Sequence, residues 1–264
     1  MIITGRPARL NHKLSFDECV RFFKKVGFDG IEFCFEDYFF HVRPDYLEDY
    51  FIKHAVELCG ELGMTIASVG NHLEYVWDDD MFNFIKRTIP KVRDYGTDIL
   101  ITATPDFVTN YKFLKRDEYY KRFTTRLAEL LSIGQHHGVK IAIEPELNNL
   151  ICSTDDFLNL CDEMGKDNLV CNLDIGHTFL TDLDVYDSVR RLGDKIVHSH
   201  VEGMNRGEHV HLLPGDGDMD LAKCIATMAE VGFDGALALD LYIHDYAEVA
   251  EQSVKTLREM IKRI

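Results

Sequence analysis

Seven times along this chain of 264 residues a helical pattern stops at a glycine, and an apolar run follows within a few residues. The glycines are Gly27, Gly63, Gly96, Gly138, Gly165, Gly193 and Gly232, and the runs they introduce are "GIEFCF", "TIASVG", "DILITAT", "KIAIEP", "LVCNLD", "KIVHSH" and "ALALDL". Glycine ends a helix well because it enters the left-handed region without a steric penalty. Short runs that are apolar at nearly every position read as strands buried on both faces, the mark of a parallel sheet. With the N-terminal "MIIT" the count reaches eight strands alternating with about eight helices. That count in this length predicts a single (β/α)8 barrel spanning residues 1–264. An open doubly wound sheet is the competitor, but "TGRPAR" after the first strand lacks the glycine spacing of a dinucleotide-binding turn. The segments between the strands carry helix signals. "SFDECVRFFKKV" opens with Ser15 and has Glu18 three residues on, a capping box, and "STDDFLNLCDEM" opens with cap-type residues.

Charge and cysteine usage narrow the functional classes. The formal charge is −16, with no long cluster of lysine and arginine. Such a surface repels phosphate backbones, so no nucleic-acid partner is expected. The seven cysteines form no CxxC, which fits free thiols in a reducing cytoplasm. No leader-like segment and no apolar stretch of bilayer length is evident, so a soluble cytoplasmic protein without a membrane partner is expected.

In a barrel of this type the active site lies at the C-terminal ends of the strands. The fifth run ends with Glu144 and Glu146, the sixth with Asp174, the seventh with His198, His200 and Glu202, and the eighth with Asp240. Burying an unpaired carboxylate there is costly, and one divalent cation offsets that cost for several groups together. Glu144, Asp174, His200 and Asp240 are therefore the expected metal ligands. Three carboxylates and one imidazole without a thiolate suit Mn2+ first, with Mg2+, Co2+ and Zn2+ also compatible. Glu146 and Glu202 could equally be structural ion-pair partners. His72, at the end of the third strand, could line the same site. Glu32 and Glu36 could contact substrate or form ion pairs, and Tyr75 and Trp77 could stack on a ring or cover the rim.

With these residues in place the chain resembles the xylose-isomerase-like barrel superfamily, which includes ketose 3-epimerases, inosose dehydratases, hydroxypyruvate isomerase and the endonuclease IV nucleases. In that group the fifth strand gives a Glu, the sixth an Asp, the seventh a His and the eighth a Glu to one metal. Glu144, Asp174 and His200 match; Asp240 stands in the fourth place with a side chain one methylene shorter. "HVEGMNR" resembles the epimerase pattern of metal histidine followed by Asn-Arg. The resemblance implies that Arg206 and His177 hold substrate oxygens; His72 and Glu146 are further candidate substrate contacts. It also implies that Glu144 and Asp240 carry protons as well as metal. His209 and His211 fall at nuclease positions that hold a further zinc, but His209 stands where an Asp is expected.

The implied function is a divalent-metal-dependent sugar or polyol isomerase or epimerase of carbohydrate metabolism. It would abstract a proton next to a carbonyl and pass through a metal-stabilised enediolate. A dehydratase or lyase acting on an inosose-type substrate with the same site is the alternative. An endonuclease IV-like nuclease and a non-catalytic sugar-binding protein stand behind it. The expected partner is a small sugar or polyol, with pairing into a homo-oligomer left open.

Overall fold

The computed structural model describes residues 1–104 and 115–264. Eight parallel strands close into a barrel: β1 (Ile2–Gly5), β2 (Gly30–Cys34), β3 (Thr65–Asn71), β4 (Ile99–Ala103), β5 (Lys140–Glu144), β6 (Leu169–Asp174), β7 (Ile196–Val201) and, after a hairpin of two short strands, β10 (Ala236–Leu239), which pairs with both β7 and β1. The expected (β/α)8 barrel is the observed fold. Nine α-helices lie among the described residues: α1 (Phe16–Val26), α2 (Asp49–Glu61), α3 (Asp79–Thr88), α4 (Arg116–His137), α5 (Thr154–Met164), α6 (Ile175–Thr181), α7 (Val185–Leu192), α8 (Leu221–Glu230) and α9 (Tyr246–Ile261). None is long and apolar enough to cross a membrane. The seven cysteines are all free thiols.

Local chemistry places the helix boundaries. Ser15 and Glu18 form the reciprocal capping box at α1, and Ser153 with Asp156 repeats it at α5. All seven punctuating glycines have positive φ, as the helix-to-strand turns require. Gly30 is demanded for a different reason. A Cβ there would lie 2.2 Å from the Thr65 carbonyl oxygen, so β2 approaches β3 too closely for any side chain.

The barrel wall has two chemistries. Its helix-facing side contributes to a large apolar core that includes Phe23, Phe33, Leu127, Phe157 and Leu239. Inside, at the N-terminal half, Ile101, Ala142 and Val170 form a small apolar layer of their own. Alternate residues point the same way along a strand, so the next inward positions up from Ala142 and Val170 are Glu144 on β5 and Asn172 on β6, with Asp174 beyond. The register sets Asp174 opposite His200, and His200 opposite Ala238, two residues before Asp240. Apolar plug below and polar layer above is thus a consequence of period-two alternation on staggered strands.

One connection is richer than the sequence pattern suggests. Between β7 and α8 the chain forms an antiparallel hairpin, β8 (Gly203–Asn205) and β9 (Glu208–Leu212). Asn205 pairs with Glu208, leaving Arg206 and Gly207 as the two-residue turn, with Gly207 at φ 81°. Gly203 allows close approach: a Cβ would lie 2.4 Å from the carbonyls of Leu213 and Asp216.

Candidate active site at the C-terminal rim

The strand ends enclose a cavity of about 720 Å3, lined by residues that include Arg6, Arg9, His72, Glu144, Glu146, His177, His209, His211 and Asp240. At its floor His200 is the hub. Its Nε2 lies 2.7 Å from Glu32 Oε2 and its Nδ1 3.1 Å from Glu144 Oε1, with Asp174 Oδ2 at 3.9 Å. Asn172 donates to Glu144 Oε2 at 3.1 Å. Against the cost of burial, His200 and then His72 hold the Glu144 carboxyl below its ordinary range. Burial opposes the charge on His200, but Glu144 and Glu32 hold the imidazolium and raise its pKa.

Asp174 caps α6 by accepting from the His177 backbone N–H at 2.8 Å through Oδ1. Its other oxygen is buried, and the carboxyl also meets the buried Glu202 side chain by a hydrogen bond. Burial and the Glu144 charge raise its pKa. The ligand atoms of Glu144, Asp174 and His200 all lie within 4.8 Å of one another. Two buried carboxylates converging with an imidazole are a donor set that a divalent cation fits, because the cation supplies the missing counter-charge.

Asp240 reaches the same layer but is differently held. Arg6 Nη1 donates to Oδ2 at 2.8 Å and Arg9 Nη2 to Oδ1 at 2.9 Å. Burial opposes ionisation, yet Arg6 and Arg9 keep the carboxyl well below its ordinary pKa. Its Oδ2 is 4.0 Å from His200 Nδ1. Arg6 also bridges to Glu32 Oε1 at 3.0 Å through Nε, so Glu32, Arg6, Asp240 and Arg9 form one buried chain of charge.

The remaining expected residues fall into two groups. His72, Glu146 and His177 line the cavity. His72 Nδ1 is 2.7 Å from Glu36 Oε1 and its Nε2 3.4 Å from Glu144 Oε2; burial opposes its charge, but Glu144 and Glu36 raise its pKa to about 9. Burial and the neighbouring Glu144 and Asp174 push the Glu146 carboxyl up to about 8, while Asn149 donates to it at 2.9 Å. His177 Nε2 meets His209 Nε2 at 2.9 Å, and with His211 the three rings form a second set of convergent nitrogens. Burial lowers the pKa of all three. Arg206 lies apart. It sits exposed in the hairpin turn, its guanidinium 3.6 Å above the Phe179 ring and donating to the Phe179 carbonyl, outside the cavity lining. Tyr75 is fully buried, and Trp77 packs under Arg122 at 4.7 Å; neither lines the cavity.

Residues 20–263 match the model of the xylose isomerase-like TIM barrel family. The chain belongs to that family. Among curated members it is similar to a fructoselysine 3-epimerase of Escherichia coli O157:H7, 23% identical over 146 residues that span 53% of each protein. It is also similar to an inosose isomerase of Bacillus velezensis, 24% identical over 259 residues, covering 91% of this chain and 89% of that one. Among solved xylose isomerase-like barrels, the IOLI protein with a bound zinc atom superposes with a TM-score of 0.77 at 18% identity, covering 99% of this chain and 96% of the other.

Arg6 and Arg9 join the site although the pattern of carboxylates and histidines at strand ends does not single them out. Arg6 follows β1 directly, just as Asp174 ends β6, so position at a strand end finds it. Glu32 is an ion-pair residue deep in the barrel, one of the two roles open to it. Glu202 is fully buried; burial and the charges of Asp174 and Asp240 raise its pKa well above the ordinary range, and its side chain hydrogen-bonds Asp174. Gly176 makes room for it: a Cβ there would lie 1.9 Å from Glu202 Oε1.

Proposed function

We propose that this chain is a divalent-metal-dependent enzyme that removes a proton from a carbon next to a carbonyl in a sugar or polyol, producing an isomer or epimer. The observation that carries this reading is the convergence of Glu144, Asp174 and His200 at the floor of a cavity. Those three residues would hold the ion, with Asp240 as the fourth side chain and Mn2+ as the best-suited metal ahead of Mg2+, Co2+ and Zn2+. A divalent ion in such a site polarises the carbonyl and makes the neighbouring C–H acidic. The zinc in the superposable barrel and the epimerase and isomerase names of the relatives agree with this chemistry.

Glu144 is the base: its carboxyl is ionised, and it lines the cavity. His177, His72 and Glu146 hold substrate oxygens from the same wall. Arg206 joins them only by leaving its seat on Phe179. Cytoplasmic location and the absence of a nucleic-acid partner belong to the same reading, the latter because of the net charge of −16.

A second reading is favoured by the clamp on Asp240. A carboxylate held by two guanidiniums is a weak base, and once ionised it has no proton to return. A single working base fits proton transfer between adjacent carbons, or dehydration, better than two-face epimerisation. The experiment is product analysis in deuterated water over a panel of ketoses and inososes. Inversion at carbon 3 with deuterium incorporated supports the epimerase. Loss of water, or transfer of the proton to the neighbouring carbon, selects the one-base chemistry.

A further inference from the structure

The floor of the cavity is polar, but its mouth is aromatic. Tyr38 and Phe40 line it from the segment after β2, and Tyr242 lines it from the segment after β10. Phe40 is 57% exposed and Tyr38 37%. Among the described residues no ring packs against Phe40. An apolar ring left in water forgoes the stabilisation that burial would give it.

The segment is built to keep that ring where it is. Glu36 and Val42 close it as an antiparallel bridge. Asp37 Oδ1 accepts from the backbone of Phe39 at 2.8 Å and of His41 at 3.0 Å. The Tyr38 N–H donates to Asn11 Oδ1 at 2.9 Å, and its ring packs against His12 with centroids 3.9 Å apart and planes tilted by 35°. Phe40 itself has φ 61°, in the left-handed region that glycine occupies freely and a bulky side chain occupies at a cost. Two unfavourable features coincide on one residue of the cavity lining: a strained backbone and an uncovered ring. A backbone outlier that its surroundings fix in place is a sign of function. Across the mouth, Tyr242 is supported from behind by the His211 ring at 4.2 Å and by the Arg9 guanidinium at 5.4 Å.

Size points the same way. A cavity of about 720 Å3 falls within the roughly 300–1,000 Å3 of sites that enclose drug-sized ligands. One sugar ring at the floor fills only part of it. Among the described residues, the two arginines lining the cavity, Arg6 and Arg9, are both committed to Asp240.

We propose that the mouth is a subsite for a flat, uncharged aryl substituent carried by the sugar-type substrate, held by Phe40 and Tyr38 with Tyr242. This rests on the reading of the floor as the place where the sugar reacts. Stacking of one aromatic pair contributes roughly two- to tenfold in affinity beyond burial of area.

The test is binding of p-nitrophenyl and methyl D-glucosides, both anomers, followed by titration calorimetry. The p-nitrophenyl form of at least one anomer should bind tenfold or more tightly than its methyl counterpart. Phe40→Ala should erase most of that difference and Phe40→Tyr should keep it. Phe39→Ala is the control: Phe39 is 63% exposed on the same segment but does not line the cavity, so its variant should bind like the parent. Equal affinity for aryl and methyl forms, no binding of any of the four, or an aryl preference that survives Phe40→Ala overturns the subsite. An aryl preference that depends on Phe40, in a protein that exchanges no carbon-bound proton of any ketose, would leave the subsite standing and remove the proposed reaction.

Discussion

Glu144→Gln should lower turnover by at least ~100-fold, the lower range for a group that moves a proton in the rate-limiting step. The substitution keeps the shape of the side chain and one oxygen. In the parent, Oε1 faces His200 at 3.1 Å and Oε2 accepts from Asn172 at 3.1 Å. A glutamine can keep its oxygen on Asn172; with the Glu144 charge gone, a neutral His200 can donate from Nε2 to Glu32 and accept the amide N–H at Nδ1, so the barrel should remain folded. What disappears is the carboxylate that His200 and His72 keep ionised despite burial. Circular dichroism should be unchanged while turnover collapses. Near-normal exchange of the substrate's carbon-bound proton with deuterated water would remove Glu144 from the role of base.

His200→Ala should abolish tight metal binding. Loss of a group that merely orients a ligand weakens metal affinity by about 10- to 100-fold, and loss of the ligand itself should exceed that. Metal analysis of the parent should find about one ion per chain, and the variant close to none after dialysis. The same change strips an imidazole from both Glu144 and Glu32, and Glu32 then retains Arg6 as its cationic partner. A milder variant, His200→Asn, separates metal loss from unfolding, because it keeps a polar group in the space. Full metal occupancy with full activity in either variant would mean that the site is misplaced.

The parts of this molecule that could be read from its sequence are those set by local rules. A glycine that must take positive φ marks a helix end wherever it occurs, so Gly27 and Gly138 punctuate the chain without reference to anything distant. Period-two alternation and the strand ends delivered Glu144, Asp174 and His200 to one layer. What could not be read depends on which distant segments meet. Nothing near Asp240 in sequence shows that Arg6 and Arg9, more than 200 positions away, hold both its oxygens. The closure of β1 against β10 brings them together. Arg206 was assigned by resemblance to the substrate. The hairpin that places it at a turn tip over Phe179 needs Gly203, which packs against the Leu213 and Asp216 carbonyls, and Gly207, which takes the positive φ of the turn. Tyr75 and Trp77 stand in a loop after the third strand, but among the described residues the Tyr and Phe side chains lining the cavity are Tyr38, Phe40 and Tyr242.

The central claim is that a cation held by Glu144, Asp174 and His200 enables proton removal from carbon next to a carbonyl. The most direct test is deuterium incorporation from solvent into a responsive ketose or inosose, measured by NMR on parent protein before and after chelation and again after Mn2+ is restored. The account predicts incorporation at one carbon beside the carbonyl, its loss on chelation by at least ~100-fold, and its return with Mn2+. Incorporation that is equally fast in the metal-stripped protein, or none from any of these substrates with metal fully loaded, would contradict it.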